Sequence, residues 1–143
     1  MPQVEQLLEK YPNDLKVVFK NFPIRTHKFA IQAALAALAA GRQNKFWEFH
    51  DELFKNYNLL NDEKVQEITT QLGLDQKKFE EDKKSPVEAA RIRQDYEEGL
   101  QLGVRGTPTI FINGRKVKNR SMQGMEALIN QELEAAKGKA TQQ

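Results

Sequence analysis

The chain has 143 residues, of which 39% are hydrophobic and 29% charged, a composition that excludes wholesale disorder. Its 22 Lys and Arg against 20 Asp and Glu give a net charge of +2, too small to favour a nucleic-acid-binding protein. Because the chain contains no cysteine, disulfides, thiolate metal sites and sulfur nucleophiles are excluded together. Two histidines, His27 and His50, are too few for a His-rich metal site, so we expect no metal and no other cofactor.

The first residues, MPQVEQLLEKYP, carry acidic side chains where a secretory signal would carry basic and then apolar ones. The most apolar run, residues 29–40, is shorter than the roughly 20 residues that a membrane-spanning helix needs. We therefore expect a cytoplasmic location for the chain as written, with no membrane partner.

The first two predicted elements are a helix and a strand. Val4, Leu7, Leu8 and Tyr11 recur at helical spacing, which predicts a helix that Pro12 ends. The β-branched and aromatic segment LKVVFKNF, residues 15–22, predicts a strand that is buried on at least one face.

Five helices are predicted next: an alanine-rich helix to Gly41, the helix KFWEFHDELFKN, two shorter ones, and one running from Ser85-Pro86 to about Leu102. The residues predicted to cap or stop these helices are Thr26, Gly41, Asn44, Asn61, Gly73, Asp75 and Ser85.

A hairpin and a final helix complete the chain. TPTIFI and RKVKN flank Asn113-Gly114, the strongest short signal for a two-residue hairpin turn. Ser121 is predicted to begin an amphipathic helix, and the polar residues 138–143 are predicted to fray. The element order is therefore α-β-(several α)-β-β-α, which suggests a thioredoxin-like α/β fold.

Three passages resemble the DsbA-type thiol–disulfide oxidoreductase family, in which a thioredoxin fold carries a helical insertion. They are EQLLEKYPNDLKVVFKNFPI, HKFAIQAALAALAAGRQNKFWEFHDELF and GLQLGVRGTPTIFINGR. The resemblance implies one DsbA-like domain over residues 1–137, with the insertion at about 26–102. It also implies that the family's first strand and Cys-x-x-Cys motif are missing here.

The most specific of these passages resembles the family's cis-proline loop, and it makes Arg105, Gly106, Thr107 and Pro108 the candidate substrate-binding residues. The resemblance predicts a cis Thr107–Pro108 bond, although only about 5–6% of X–Pro bonds are cis in folded proteins. No catalytic residue is predicted, because thiol–disulfide exchange needs a sulfur atom to attack and be attacked.

Three functions remain open from the sequence. The first is a remnant or truncated DsbA-family oxidoreductase with no redox activity of its own. The second is a redox-dead module that holds an extended peptide or unfolded protein at the cis-proline loop by strand addition. The third, a cysteine-independent thioredoxin-fold transferase or isomerase, ranks last because no catalytic hydroxyl is placed for it. The family itself is mostly periplasmic or extracytoplasmic.

Other patterns have plainer interpretations. The basic run RKVKNR, residues 115–120, lacks the interleaved aromatics of a nucleic-acid surface and indicates an edge strand protected by charge. Phe46, Trp47, Phe49 and Phe54 could line a pocket, but helical spacing favours a core. His50 lies beside Asp51 and could form a local hydrogen bond.

The absence of the family's first strand leads to an expectation about the oligomeric state. In thioredoxin-like sheets this strand lies between the strands that match residues 15–22 and 109–112, so its loss leaves two interior edges with unpaired backbone groups. Each such group costs about 1–3 kcal/mol if it is buried. Either the two strands pair directly or a second chain fills the gap, and we expect a homodimer.

Overall fold

The computed structural model describes residues 2–24 and 26–140. Within these ranges the helices are α1 (Pro2–Lys10), α2 (Ala30–Gly41), α3 (Phe46–Lys55), α4 (Asp62–Gln71), α5 (Gln76–Lys83), α6 (Pro86–Gln101) and α7 (Met122–Ala140). A 3-10 turn, Tyr57–Leu59, follows α3, and the strands are β1 (Phe111–Ile112) and β2 (Arg115–Lys116). In the described ranges, no helix combines the length and the apolar character needed to cross a bilayer.

The chain forms two compact units, one from residues 1–18 with 106–143 and one from residues 19–105. The second unit is close in extent to the predicted insertion, 26–102. The single domain over residues 1–137 stays a prediction.

The unit of residues 19–105 is built from α2 to α6 around one buried cluster. Alanines on α2 let the neighbouring helices approach closely, and Phe49 packs against Phe79 with ring centroids 5.5 Å apart. The buried members of this cluster are Ala36, Ala37, Ala39, Ala40, Phe49, Leu53, Val65, Ile68, Leu74 and Phe79.

The ends of α4, α5 and α6 follow the sequence signals. The side chains of Asn61 and Asp75 accept hydrogen bonds of 2.8 Å from the backbone N–H groups of Lys64 and Lys78. Pro86 opens α6, where the absence of its N–H costs no helical hydrogen bond. These three helix starts are confirmed.

Two predicted caps are wrong. Thr26 lies before the start of α2, which begins at Ala30 directly after Phe29, with no side-chain cap. Asn44 lies one residue too early: it has a φ of 59°, in the left-handed region that asparagine tolerates, and Lys45 precedes α3. Residues 27–29 separate Thr26 from α2 and Lys45 separates Asn44 from α3, so each polar side chain is out of register with the first free N–H groups.

Two buried carboxylates hold elements of this unit together. Asp95 accepts hydrogen bonds from the backbone N–H and side-chain amide of Asn21, at 2.9 and 3.1 Å. Lys20 lies 2.8 Å from Glu98 and 3.3 Å from Asp95, and the hydrogen bonds that it donates, to Glu98 first and Asp95 second, raise the pKa of its ammonium group. These contacts fix the extended residues 19–21 against α6.

Glu88 is the other buried carboxylate. Its Oε1 lies 2.6 Å from the guanidinium of Arg42, which joins α6 to the end of α2. Its Oε2 has no hydrogen-bond partner among the described residues.

The unit of residues 2–18 and 106–140 has a smaller core. Leu7 of α1, Val117 after the hairpin, and Met125 and Ile129 of α7 form its buried cluster. Lys10 at the end of α1 pairs with Glu126 of α7 at 2.8 Å, and this hydrogen bond raises the pKa of Lys10.

The hairpin forms as predicted, although it is short. Phe111 pairs with Lys116 and Ile112 with Arg115 in antiparallel register. Asn113 and Gly114 form the turn with positive φ values of 47° and 78°. The predicted strand TPTIFI is reduced to its last two residues, because no described strand pairs with residues 107–109.

The strand predicted over Leu15–Phe22 is wrong. Residues 15–24 have no regular secondary structure, and no described strand pairs with them. The apolar pattern is real, because Leu15 packs against the small core, but Val18 is 66% exposed. A β-strand needs a neighbour to accept its backbone hydrogen bonds, and neither closure onto β1 nor any other pairing supplies one.

The last helix begins where the sequence predicts. Ser121 caps α7 through a 3.1 Å hydrogen bond from the N–H of Gly124 to its hydroxyl oxygen. The helix continues to Ala140, and the fraying of residues 138–143 stays a prediction. Residues 141–143 lie outside the described residues.

Candidate functional site

The loop that joins α6 to the hairpin presents the four predicted site residues. Arg105, Thr107 and Pro108 are exposed and Gly106 is half-buried. The Thr107–Pro108 peptide bond is cis, which is the isomer expected from the sequence. Arg105 ends the unit of residues 19–105, and residues 106–108 begin the second part of the other unit.

Hydrogen bonds within residues 106–120 hold the loop. The hydroxyl of Thr109 donates to the carbonyl of Gly106 at 2.7 Å, and the guanidinium of Arg120 donates to the carbonyl of Pro108 at 2.6 Å. Beyond the loop, the N–H of Val117 donates to the carbonyl of Ile110 at 2.8 Å and extends the hairpin pairing by one step. The loop is therefore anchored on both sides of Thr107.

The backbone groups of Thr107 have no hydrogen-bond partner among the described residues. Neither its N–H nor its C=O forms a hydrogen bond with another described residue. Because it is exposed between two anchored neighbours, this residue offers one donor and one acceptor to the backbone of another chain.

Arg120 is the site residue that sequence reasoning missed. The run RKVKNR marked it only as one of several edge-strand charges. Its contact with Pro108 depends on the hairpin folding back so that residues 12 positions apart meet. No local sequence signal distinguishes it from its basic neighbours.

The rest of the basic run behaves as an edge strand. Arg115 pairs with Glu132 of α7 at 2.9 Å, and both residues of β2 are exposed. No cluster of three or more His, Asp or Glu side chains in the described part of the chain could hold a metal ion. His27 lies exposed before α2, where its N–H donates to the carbonyl of Ile24.

The four residues of the predicted aromatic group differ in burial, and Phe46 is half-buried against the core. Phe49 is fully buried in the core, as helical spacing favoured. Trp47 and Phe54, by contrast, are 47% and 61% exposed, so they lie at the surface of α3. His50 is buried near them, and its Nδ1 lies 3.1 Å from a carboxylate oxygen of Asp51, the local contact that the sequence suggested.

This chain is similar to known proteins in sequence and in structure. A family model described as Thioredoxin matches residues 1–131. The crystal structure of a thioredoxin-like oxidoreductase from Silicibacter pomeroyi DSS-3 is similar with a TM-score of 0.79 and 27% identity, covering 94% of this chain and 77% of that chain. The thiol-disulfide exchange protein alpha-DsbA2 from Wolbachia pipientis has a TM-score of 0.77 at 21% identity, over 91% of this chain and 71% of that chain, and shows the fold alone.

Curated relatives carry the similar segment within much longer proteins. The Na(+)/H(+) antiporter NhaA 3 of Salinispora tropica is 36% identical over 116 residues, which are 80% of this chain and 18% of the antiporter. The Na(+)/H(+) antiporter NhaA 1 of Mycolicibacterium gilvum is 30% identical over 138 residues, which are 94% of this chain and 22% of that protein. This chain thus spans about a fifth of the length of these relatives.

The family match over residues 1–131 and the two structural likenesses agree with the helix-rich architecture. The chain therefore belongs to the thioredoxin family and has the thioredoxin-like fold, rich in helices, of DsbA-type thiol–disulfide oxidoreductases.

Proposed function

We propose that this chain binds an extended polypeptide at the loop Arg105–Pro108 and does not itself exchange thiols and disulfides. The observation that carries the proposal is the open backbone of the exposed residue Thr107, held between two anchored neighbours. An extended peptide that pairs with this N–H and C=O gains main-chain hydrogen bonds whatever its sequence.

The redox part of the proposal rests on the composition. Thiol–disulfide exchange proceeds by attack of a thiolate on a disulfide sulfur, and the 143 residues include no cysteine. Within an oxidoreductase family, such a chain retains polypeptide binding without the exchange chemistry. We expect insulin reduction by the purified protein to equal the buffer blank, and activity above the blank, with contaminating oxidoreductases excluded, would refute this part.

The binding test uses a glycine that the loop does not need for its own shape. A Cβ placed on Gly106 meets nothing within 4 Å, so Gly106→Leu should fold normally while its side chain occupies the space beside Thr107. Gly138→Leu on α7 is the matched control, because a Cβ there also meets open space. Isothermal titration with an extended, cysteine-free peptide should show binding to the wild type and to Gly138→Leu, and at least tenfold weaker binding to Gly106→Leu.

The role of the backbone can be tested on the peptide. N-methylation of alternate peptide amides removes donors without changing the side chains, and it should abolish binding to the wild-type protein. If the methylated peptide bound equally well, or if Gly106→Leu left the affinity unchanged, pairing at Thr107 would be excluded.

The open edges support a second proposal, a homodimer. Among the described residues β1 pairs only with β2, and residues 15–18 pair with no strand, so the direct closure of the two predicted strands is not what this unit adopts. A second copy could cover these edges. Sedimentation equilibrium at micromolar concentration should give twice the monomer mass, and saturating peptide should shift it towards the monomer. A monomer at every concentration would rule the dimer out.

A further inference from the structure

The exposed residues Trp47 and Phe54 and the half-buried residues Phe19 and Phe46 lie around a buried histidine. The rings of Phe19, Phe46, Trp47 and Phe54 surround the imidazole of His50, and we call these five residues the His50 cluster. The ring centroid of His50 lies 4.6 Å from that of Phe54, 4.9 Å from Phe19, 5.6 Å from Trp47 and 5.8 Å from Phe46. All five belong to the unit of residues 19–105.

The two nitrogens of His50 are in different situations. Nδ1 faces a carboxylate oxygen of Asp51 at 3.1 Å, and because a carboxylate only accepts, Nδ1 carries a proton. In the neutral imidazole Nε2 is then the acceptor. Nε2 is buried and has no hydrogen-bond partner among the described residues. A buried acceptor without a donor lowers the stability of a fold, so a donor that reaches it is favoured.

The surroundings of Nε2 restrict what that donor can be. Four aromatic rings enclose the imidazole, and two of them, Trp47 and Phe54, are 47% and 61% exposed. A group that enters between them has to be flat and apolar to pack on the rings, and it has to carry one N–H or O–H. Phe54 is the ring nearest to His50 and the most exposed of the four, so it forms the outer wall of the cluster.

We propose that the His50 cluster binds an aromatic side chain that carries a hydrogen-bond donor, such as tyrosine, presented by a polypeptide. Its hydroxyl donates to Nε2 of His50 while its ring packs against Trp47 and Phe54. A polypeptide is the source that fits, because exposed rings cover only one side of a bound group and the peptide backbone supplies the remaining contact. This site does not rest on the loop at Thr107, and its test is separate.

Peptides that differ by one atom or one methyl group test the hydroxyl. The probes are an acetylated and amidated Ala-Ala-Tyr-Ala-Ala and the same peptide with phenylalanine or O-methyltyrosine at its centre. Trp47, the only tryptophan, reports binding by fluorescence, and with only two histidines in the chain the imidazole ¹⁵N signals of His50 are assigned by comparison with His27→Gln. The tyrosine peptide should bind about tenfold more tightly than either analogue, which is the size expected when a donor satisfies a buried acceptor, and should shift the Nε2 signal upfield.

Substitutions test whether the peptides bind at the His50 cluster. His50→Phe keeps an aromatic ring but removes the acceptor, so the three peptides should bind it equally. Phe54→Ala removes one wall and should weaken all three, whereas Tyr57→Ala is the matched control, since Tyr57 is 68% exposed and lies outside the cluster. Gly106→Leu should leave binding at the cluster unchanged.

Three outcomes would overturn the proposal. Equal affinities of the tyrosine and phenylalanine peptides for the wild type would exclude the hydrogen bond to Nε2. Loss of binding in Gly106→Leu would assign the peptide to the loop and not to the cluster. Free p-cresol binding as tightly as the tyrosine peptide would show that a polypeptide is not the source of the ring.

Discussion

The two units of the molecule differ in how their backbone groups are satisfied. The regular elements of residues 19–105 are all helices, whose backbone groups bond within their own helix, and ten buried apolar residues form one cluster. The other unit depends on a hairpin of two residue pairs and an extended segment at 15–18, and its buried cluster has four members. The regular elements of the helical unit need no partner strand, whereas the described strands of the other unit leave edges unpaired.

The core clusters give the largest test of this difference. Phe49 is fully buried in the larger cluster, so Phe49→Ala should lower the free energy of unfolding by about 3–5 kcal/mol. Met125 is 1% exposed in the smaller cluster, which has more freedom to collapse, so Met125→Ala should cost less, about 2–3 kcal/mol. Urea unfolding followed by circular dichroism measures both. A larger loss of unfolding free energy in Met125→Ala than in Phe49→Ala would contradict the proposed difference between the two cores.

The surface phenylalanine of α3 is the control for burial. Phe54 is 61% exposed, so the loss on Phe54→Ala should stay below about 1 kcal/mol. A loss similar to that of Phe49→Ala would mean that aromatic area at the His50 cluster, and not burial, determines the cost.

The next prediction concerns the extended residues 19–21, which the side chain of Asp95 binds where no neighbouring strand does. Asp95→Ala removes the acceptor for both the backbone N–H and the side-chain amide of Asn21, which is 4% exposed. Leaving these donors buried should cost about 2–3 kcal/mol in urea unfolding. Glu98→Ala, which removes only an exposed partner of Lys20, is the matched control and should cost less than about 1 kcal/mol.

These two regions also show what the sequence can predict. Asn61, Asp75 and Pro86 mark their helices because caps act on N–H groups within the next turn, so local sequence contains the whole signal. The segment LKVVFKNF has the composition of a strand, but a strand forms only with a partner, and no stretch of eight residues shows whether that partner exists. Helix positions were therefore predicted well and strand pairing was not.

Part of the candidate site could be predicted from the sequence and part could not. The Gly-Thr-Pro loop was identified from sequence because its residues are contiguous and resemble those of a family. Arg120 and the His50 cluster were not, because each depends on residues brought together from separate elements, such as Phe19 and Phe54 around one imidazole. The contacts of Arg120 and of the His50 cluster arise only when these separate elements pack together.

A smaller effect is expected at the hairpin turn. Gly114 has a φ of 78°, in the left-handed region that penalises a Cβ, so Gly114→Ala should destabilise the chain by about 1 kcal/mol. Gly106→Ala is the control, since its Cβ meets open space, and it should change stability by less than about 0.5 kcal/mol. Equal losses in thermal unfolding would show that the turn geometry does not limit stability.

The smallest effect contrasts one ion pair from each unit. Lys20 lies beside Glu98 and the buried Asp95, and these hydrogen bonds raise its pKa above the ordinary value of 10.5. A raised pKa in the folded state means that the stabilisation is fully present below pH 10.5 and is lost as the pH rises through the folded value. Because Lys20 is itself mostly exposed, its contribution should be below about 1 kcal/mol.

The stability difference between the wild type and Lys20→Met should therefore be constant up to about pH 9 and shrink above pH 10.5. Lys10→Met in the other unit should show the same sign, because its hydrogen bond to Glu126 also raises the pKa of Lys10. Salt separates the two pairs. Asp95 is 6% exposed and Glu126 is 23% exposed, so about 1 M NaCl should suppress the Lys10 difference more completely than the Lys20 difference. Equal suppression of both would show that the buried carboxylate gives Lys20 no shelter from solvent screening.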